Sequence, residues 1–531
     1  MPFLNEFSTF DFNIIYKNVK PISCYGKVQK KEFAPFMRGR INQAKKYYKN
    51  LDSVMTWEAT NPVKAKYIRS KLNKIECLDS NLESLEEGSL DNVNFYEIRK
   101  FVITTHSIIS KLRETKLNNF VNLHHNDLDQ IIDIFNNYCD LETGFNISNS
   151  KFGKLYEINK EIKKINLNIK KLERKRQIEI STLLEREVED RFIVYKSNPL
   201  LNDITSFEYI DIIQKEQEYY ILSFCDDEKI LDLKEKISQK KKVYLMSQND
   251  IKRKLLKDIL SYFESLRKVA KVLGWFDLLL AKSDFFQKHE MCLPKLVDYP
   301  EIKIKSGYHP LLRDRLRKMN QLFTPRSINL TKGVVALTGI NMGGKTITLR
   351  MINLFAILVS FGMPIPAKEC QFPLFNLIYF SNKINDTINS GLSLFGKEIK
   401  DIQFALNNKE KYGIILIDEI ASGANPEIGR YLTHAFIEEM TDSNCIVILT
   451  THYSGVNNYD KIQKWRTKGV KEEIKSLDDL NINNISDFID YSLEESEEDY
   501  TSDDILKVAR MLGLNERILS KTKDMLSESG C

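Results

Sequence analysis

The chain has 531 residues, and because single hydrophobic cores stop growing at about 250 to 300 residues, more than one domain is expected. Its net charge is only +5 although 28% of its residues are charged, which excludes a polycation. Any binding of nucleic acid must therefore come from local basic patches rather than from overall charge.

The cysteines, the N-terminal segment and the apolar stretches indicate the compartment. The eight cysteines are scattered without a C-x-x-C pair, which argues against a zinc site and is typical of a reducing compartment. The segment MPFLNEFSTFDF lacks the basic and apolar regions of a signal peptide. The longest apolar stretch, NLFAILVSFGMPIP, is interrupted by glycine and proline and is too short to span a bilayer. We expect a cytoplasmic protein without a membrane partner.

Residues 1–150 are predicted to form a mostly helical core. Apolar residues recur at helical spacing in RINQAKKYYKNLDSVMTW and in FYEIRKFVITTHSIISKLRET. In the second stretch Phe95, Ile98 and Val102 share one apolar face, which predicts a core helix.

Residues 151–285 are predicted to form two long helical arms and a small, partly β tip. From Leu155 to Leu172 the apolar residues recur at alternating three- and four-residue spacings, the heptad seam of a coiled coil. The periodicity weakens around Pro199 and resumes from about Glu228 to Lys282. We expect an outgoing and a returning arm that stand away from the compact parts.

Basic residues are concentrated in the outgoing arm. The run KLERKR and neighbouring lysines between residues 160 and 176 could supply contacts to DNA phosphates. The alternative, solvated faces of a coiled coil, fits the charge pattern equally well.

Residues 286–480 are predicted to form an α/β domain, and residues 481–531 an acidic loop followed by a C-terminal helix. Short apolar strands such as GIILI and CIVIL alternate with helical segments, which is the pattern of a doubly wound sheet.

The segment VVALTGINMGGKTITLR, residues 334 to 350, has the pattern of a strand, a phosphate loop and a helix. Its glycines let successive backbone N–H groups point at an anion at the start of the helix. Lys345 is expected to reach the β- and γ-phosphates of ATP, and the hydroxyl of Thr346 to ligate Mg²⁺. The alternative is a glycine-rich turn beside an incidental lysine.

Two further strands end in polar residues. GIILIDEI places Asp418 and Glu419 at the carboxyl end of a buried strand, where α/β sheets bind ligands. Asp418 suits Mg²⁺, and Glu419 suits a base that polarises the attacking water, although carboxylates also favour helix starts. CIVILTTHY places His452 at another strand end, where it could contact the γ-phosphate or orient the water; the alternative is a structural histidine.

These segments resemble one known family. TGINMGGKTITLR, GIILIDEIASGANPEIG and TTHY are similar to the ATPase domain of the MutS family, with its T-G-P-N-M-G-G-K-S loop, D-E-x-x-x-G stretch and T-H-Y. The pair Asn341 and Met342 is the specific part, because generic phosphate loops do not require it. GYHPLL and LFTPRSINL resemble the lead-in of that family. The resemblance implies an ABC-like, doubly wound α/β P-loop ATPase domain at the C-terminal end of a mostly helical core with long lever and clamp helices.

The resemblance also implies a set of site residues and a dimer. Phe323 would stack on adenine, and Ser393 of SGLSLFGKEI would reach the nucleotide of the opposite subunit, so a homodimer or a heterodimer with a related subunit would hold two composite ATP sites. The expected catalytic residues are Glu419, His452 and Lys345. The expected ATP-binding residues are Gly339, Asn341, Met342, Gly343, Gly344, Lys345, Thr346 and Phe323, with Ser393 acting in trans. The expected Mg²⁺ ligands are Thr346 and Asp418.

The sequence departs from the family in several places. Ile340 stands where the family usually has proline, and Leu394 replaces the threonine after Ser393. The chain is too short at its front for a mismatch-reading domain and a connector. The tripeptide at Phe95 copies the one that mismatch readers insert beside a mispaired base, but its helical periodicity favours a core helix. An L-D-x-H element of an Smr-type nuclease is also missing, so cleavage is not implied.

Two functional classes remain open. In the first, the arms hold DNA and ATP drives their movement, as in mismatch repair or recombination. In the second, the dimer remodels a protein client without a role on DNA. The short architecture resembles MutS-like reactivating factors of cobalamin-dependent aminomutases, and the missing G-x-x-x-x-S-Y-G pattern before the last helix fits a changed partner.

Overall fold

The computed structural model describes residues 3–4, 6–113, 117, 125–140, 144–340, 343–381, 394–453, 455–471, 488–496 and 502–528. The chain divides into two compact units. Unit 1 comprises Met1–Asn73, Thr115–Leu117 and Lys271–Cys531, and unit 2 comprises Lys74–Glu114 and Asn118–Ala270.

Helices make up most of the first half of the chain. The described residues form α1 (Glu6–Lys17), α2 (Cys24–Glu32), α3 (Ile41–Thr60), α4 (Pro62–Leu72), α5 (Asp79–Glu86), α6 (Asn92–Arg113), α7 (His125–Tyr138), α8 (Gly153–Leu183), α9 (Leu201–Thr205), α10 (Glu228–Leu260), α11 (Phe263–Lys288), α12 (Pro310–Lys318), α13 (Lys345–Ser360), α14 (Leu394–Asn407), α15 (Pro426–Met440), α16 (Ser502–Met511) and α17 (Glu516–Glu528). Short 3₁₀ turns lie at Arg38–Arg40 and Val456–Asn458.

The strands are concentrated in the second half of the chain. They are β1 (Phe3–Leu4), β2 (Arg191–Tyr195), β3 (Ile210–Lys215), β4 (Tyr219–Phe224), β5 (Lys295–Val297), β6 (Glu301–Gly307), β7 (Arg326–Thr331), β8 (Gly333–Thr338), β9 (Glu369–Pro373), β10 (Leu377–Ser381), β11 (Gly413–Ile417), β12 (Ile446–Thr450), β13 (Gln463–Val470) and β14 (Ile489–Glu495).

A seven-stranded sheet forms the centre of unit 1. Its strand order is β1-β10-β11-β12-β8-β13-β14, and all neighbours are parallel except the antiparallel pair β13 and β14 at one edge. The predicted alternation of strands and helices in an α/β sheet is therefore present. Because the strands are parallel, the ends of β8, β11 and β12 meet at one edge.

Helices cover both faces of this sheet, which explains why β8, β11 and β12 are apolar along their whole length. On one face Ile415 and Val447 pack with Phe436 and Met440 of α15. The alternate residues of the same strands are equally buried, and α13 lies against β10, β11 and β12.

Unit 1 also contains a four-stranded sheet. In sequence, its strands β5, β6 and β7 come before β8, and β9 lies between β8 and β10. Its order is β5-β9-β6-β7, with β5 parallel to β9 and the remaining neighbours antiparallel. The last of these strands, β7, continues directly into β8 through a turn at Lys332.

Unit 2 contains the two predicted arms, α8 and α10. Ile162 and Ile169 of the predicted heptad seam are buried against Ile230 and Ile237 of α10. Between these helices in sequence, β2, β4 and β3 form a small antiparallel sheet. The helical region expected from Glu228 onward is two helices, α10 and α11.

The interpretation of the basic run in α8 changes at one residue. Arg176 is buried, forms an ion pair with Asp227, and lies 4.9 Å from the ring of Tyr209. It is therefore not available to a phosphate, whereas Arg174 and Lys175 remain exposed.

Two further expectations concern single helices. Phe95, Ile98 and Val102 are fully buried on one face of α6, as a core helix requires. Among the residues that the structure describes, none of the helices combines the length and the apolar character needed to cross a membrane.

Candidate functional site

The predicted phosphate loop connects β8 to α13. Gly339 has a φ of 130° and Gly344, the residue before the helix, a φ of 85°, values at which side chains are strained. Space is limiting as well, because a Cβ atom at Gly339 would collide with the hydroxyl of Thr467 and one at Gly344 with the guanidinium of Arg326. These two positions therefore require glycine. Of the other predicted loop residues, Gly343 is close to Thr467, and Asn341 and Met342 lie outside the described residues.

Lys345 begins α13 with its side chain folded over the loop. Its Nζ donates hydrogen bonds to the carbonyl oxygens of Gly339 at 2.6 Å and Ile340 at 3.2 Å. Burial lowers the pKa of this lysine to about 8, against the opposing effect of Glu419 and Asp418. The ammonium group thus lies inside the curve of the loop and close to both acidic residues.

Asp418 connects the loop to the neighbouring strands. Its Oδ2 accepts a hydrogen bond from the hydroxyl of Thr346 at 2.8 Å, and its Oδ1 accepts one from Thr450 at 2.9 Å. The carboxylate is buried, so both oxygens are held in place. Oxygen atoms of hydroxyl and carboxylate groups are the ligands that Mg²⁺ prefers, and the pair Thr346 and Asp418 therefore fits the metal predicted from the sequence.

Glu419 and His452 form a second pair at the same edge. His452 Nε2 lies 3.2 Å from Glu419 Oε1, and both side chains are partly exposed. The backbone of Glu419 is left-handed, with a φ of 53°, and its N–H donates to the hydroxyl of Thr450 at 2.6 Å. A left-handed glutamate is strained and persists only where its surroundings hold it, which is a property of functional sites.

Thr450 is a site residue that the sequence patterns did not reveal. Its single hydroxyl donates to Asp418 and accepts from the N–H of Glu419, so one side chain fixes both acidic residues. The available signal was its place in the TTH segment, two positions before His452.

Arg326 is a second residue that was missed. Although fully inside the protein, it donates to the carbonyl oxygen of Gly344 at 2.7 Å and to the hydroxyl of Thr348 at 2.5 Å. Burial lowers the pKa of its guanidinium group to about 10. The available signal was an arginine in register with the apolar residues Ile328 and Leu330 of β7, because a buried charge needs a specific partner.

The predicted adenine-stacking residue lies close to Arg326. The ring of Phe323 is 5.9 Å from the guanidinium carbon, and it is partly exposed. Phe323 lines a cavity of about 580 Å³ together with Tyr308, Arg313 and Leu322. This position is compatible with a base bound next to the loop.

The segment after Glu419 is tied to α14 by Glu398. Its carboxylate accepts hydrogen bonds from the hydroxyl of Ser422 at 2.9 Å and from the N–H of Gly423 at 3.0 Å. Glu398 belongs to the same SGLSLFGKE segment as Ser393, but Ser393 itself lies outside the described residues.

The structure thus brings together most of the residues predicted from three separate segments. Lys345, Thr346, Asp418, Glu419 and His452 meet at the carboxyl ends of β8, β11 and β12. Thr450 holds the two acidic residues in this arrangement.

Comparison with known proteins agrees with this geometry. Residues 335–529 match the family described as MutS domain V. The chain is 26% identical over 309 residues to Endonuclease MutS2 of Lactococcus lactis subsp. cremoris strain MG1363, which covers 58% of this chain and 38% of that protein. It is 26% identical over 331 residues to Endonuclease MutS2 of Halothermothrix orenii, which covers 61% of this chain and 40% of that protein.

A third relative is named for a different function. The DNA mismatch repair protein MutS of Thermus caldophilus is 29% identical over 190 residues, which is 36% of this chain and 22% of that protein. The chain spans less than half the length of the curated relatives it matches. The resemblance stated from the sequence is confirmed: residues 335–529 match MutS domain V, and the chain is similar to MutS2 and MutS proteins.

Proposed function

We propose that this protein binds ATP with Mg²⁺ at the carboxyl edge of the seven-stranded sheet, hydrolyses it, and uses the energy to move its helical arms on DNA. Members of the family that carry MutS domain V are ATPases. The observation that carries the proposal for this chain is the hydrogen-bonded set Thr346, Asp418, Thr450, Glu419 and His452, which three separate segments bring to one edge.

In this proposal the loop and Lys345 hold the phosphates. The ammonium group lies among carbonyl groups of the loop, where it can exchange those hydrogen bonds for the oxygens of the β- and γ-phosphates. Thr346 and Asp418 would hold Mg²⁺, which would neutralise charge on the phosphates. Phe323 would stack on the adenine at the entrance of its cavity.

Glu419 is the proposed base. Its partly exposed carboxylate accepts the proton of the attacking water, and the contact with His452 fixes its orientation. Thr450 accepts a hydrogen bond from the Glu419 N–H and thereby supports the left-handed backbone of that residue. The two neighbouring carboxylates thus take different roles, one at the metal and one at the water.

The assembly in the proposal is a dimer with composite sites. Ser393 would contact the nucleotide of the opposite subunit, and Glu398 would transmit that contact to the segment after Glu419 through Ser422 and Gly423. The proposal keeps the domain boundaries predicted from the sequence. Residues 1–150 are the helical core, 151–285 the lever and clamp helices in a coiled coil, 286–480 the ATPase domain and 481–531 the C-terminal part. A cytoplasmic location is part of the same proposal.

DNA is the proposed partner of the arms. The names of the relatives refer to DNA repair and to nuclease activity, each for a longer protein than this chain. In α8 the exposed cations Lys163, Lys164, Lys170, Lys171, Arg174 and Lys175 supply groups that can contact phosphates. Nuclease activity is not part of the proposal.

The experiment is ATP turnover with and without duplex, mismatched and branched DNA at stated salt concentrations, since electrostatic binding depends on salt. We expect one of these DNA forms to stimulate turnover, and charge reversal at Lys171 and Arg174 to remove the stimulation. Intact basal turnover without a response to any DNA would contradict the DNA role and favour a protein client, such as a cobalamin-dependent aminomutase.

A further inference from the structure

A groove with strongly basic walls lies at the opposite edge of the seven-stranded sheet from the ATP site. It is formed where β8, β10 and β11 begin, and its volume is about 1070 Å³. Its polar lining, which we call the amino-edge groove, consists mainly of Arg38, Arg40, Lys332, Lys411, Tyr412 and Asn444. All of these residues belong to unit 1.

The charge of the amino-edge groove is predominantly positive. Arg38, Arg40, Lys332 and Lys411 are all exposed, and within the described ranges none of the four forms an ion pair. Among the described residues that line the groove, Glu410 is the one acidic residue, and its carboxylate accepts a hydrogen bond from Asn444 at 3.3 Å. Four cations are therefore available to a ligand and are opposed by one carboxylate.

Two of the cations are held in place by the protein. The guanidinium group of Arg38 lies 3.8 Å from the centre of the Tyr412 ring, a cation–π contact that leaves its N–H edges free. Arg40 donates to the side-chain oxygen of Gln43 at 2.7 Å. Because these side chains are already ordered, binding an anion costs less conformational entropy than ordering free surface arginines.

We infer that the amino-edge groove binds the phosphate backbone of nucleic acid. The four cations come from three separate turns and surround a space too large for one phosphate group. The lining also includes apolar groups, among them Met37, Pro300 and the ring of Tyr412, whose face Arg38 covers. Interfaces with DNA are much more positively charged than interfaces between proteins, so four cations opposed by one carboxylate favour nucleic acid over an acidic protein.

This inference rests on the proposed DNA function but uses a surface away from the ATP site. The test is the affinity of the full chain for labelled duplex DNA by fluorescence anisotropy between ~50 and ~200 mM salt, for wild type and for Arg38→Glu/Lys411→Glu. Since each phosphate contact adds about 0.9 to the salt slope, loss of two contacts should leave the variant about tenfold less sensitive to this salt change. A second variant, Lys332→Glu/Lys411→Glu, repeats the test without disturbing the stacked Arg38.

The control is Lys66→Glu/Lys521→Glu, which changes the net charge equally at exposed residues outside the groove. Basal ATP turnover should stay unchanged in all variants. Equal salt slopes for control and groove variants would overturn the inference while leaving the DNA function intact. If the wild-type protein binds no DNA, both the inference about the groove and the proposed DNA function are overturned. Binding of poly-glutamate instead of DNA would overturn the inference and assign the groove to an acidic protein.

Discussion

Thr450 determines how two acidic residues of the same segment take different positions. Its hydroxyl bonds to both Asp418 and the backbone of Glu419, and the residue is completely buried. A hydroxyl with two partners cannot be replaced by a methyl group without leaving a buried donor and a buried acceptor unpaired. The roles proposed for the two carboxylates therefore depend on this one side chain.

We expect Thr450→Val to lower ATP turnover by about 10- to 100-fold, the cost typical of losing a partner that orients a metal ligand. The fold should change little, because valine has nearly the same shape. Turnover is measured by phosphate release, with Thr433→Val as the matched control. Thr433 is also buried, but its hydroxyl donates to the carbonyl oxygen of Gly429 in its own helix. Equal turnover in the two variants would contradict the role of Thr450.

Arg326 contacts both the predicted phosphate loop and the residue proposed to stack on adenine. Replacing it in Arg326→Met removes the hydrogen bonds to Gly344 and Thr348, and the glycine at the start of α13 loses its support. We expect ATP affinity to fall by about tenfold, since hydrogen bonds of charged groups contribute about 1.5 to 3 kcal/mol.

The ATP affinities of wild type and Arg326→Met are measured by equilibrium titration well below the unfolding temperature. Arg176→Met in unit 2 is the control, because it also removes a buried arginine, here one that is paired with Asp227. A variant of Arg326 that is merely less stable, with unchanged ATP affinity, would show that this arginine supports the fold and not the loop.

At the scale of elements, α1 is joined to α13 by a buried carboxylate. Asp11 accepts hydrogen bonds from Arg350 Nη2 at 2.7 Å and Nε at 3.0 Å, and lies 3.2 Å from the ring nitrogen of His309. Burial raises the pKa of Asp11, but the hydrogen bonds and charges of His309 and Arg350 outweigh this effect and lower it to about 2. The helix that follows the predicted phosphate loop, α13, is thereby held by α1.

This carboxylate should make stability depend on pH in the acidic range. Because its pKa is depressed in the folded state, the contribution of about 2 kcal/mol is present above pH ~4 and is lost as the pH falls towards ~2. Wild type should exceed Asp11→Asn in free energy of unfolding by this amount at neutral pH, and the difference should vanish in acid. A constant difference across this range, measured by chemical denaturation, would contradict the assignment.

The packing of α8 on α10 gives a prediction for unit 2. Ile169→Ala removes a buried side chain from the seam and should cost about 2 to 4 kcal/mol, whereas Leu167→Ala, at an exposed position, should cost less than about 0.5. All three tryptophans belong to unit 1, so hydrogen exchange of the α8 amides is the suitable measurement. Equal protection in both variants would show that the seam does not hold these helices together.

At the scale of the whole molecule, the features that could be predicted from the sequence are those formed by contiguous residues. The strand, loop and helix around Lys345 and the strand ends at Asp418 and His452 are contiguous patterns, and the structure contains them. Thr450 and Arg326 could not be assigned in this way, because their partners lie in segments 32 and 18 residues away along the chain. Their roles follow from packing and not from a local pattern.

The division of the chain into two units could not be predicted from local patterns either. Residues 1–73 belong to the unit that contains the seven-stranded sheet, although in sequence they precede the helices of unit 2. Contacts such as that between Asp11 and Arg350 join residues 339 positions apart. No periodicity of a single helix contains this information, so composition and spacing predict α1 as a helix without predicting its partner.

The central claim is that Glu419 acts as the base of an ATPase site. The most direct measurement compares ATP binding and turnover in Glu419→Gln with wild type and with Glu427→Gln, which changes an exposed glutamate at the start of α15. We predict that Glu419→Gln binds ATP normally and hydrolyses it about 10²- to 10⁴-fold more slowly, while Glu427→Gln behaves as wild type. Normal turnover in Glu419→Gln would contradict this role.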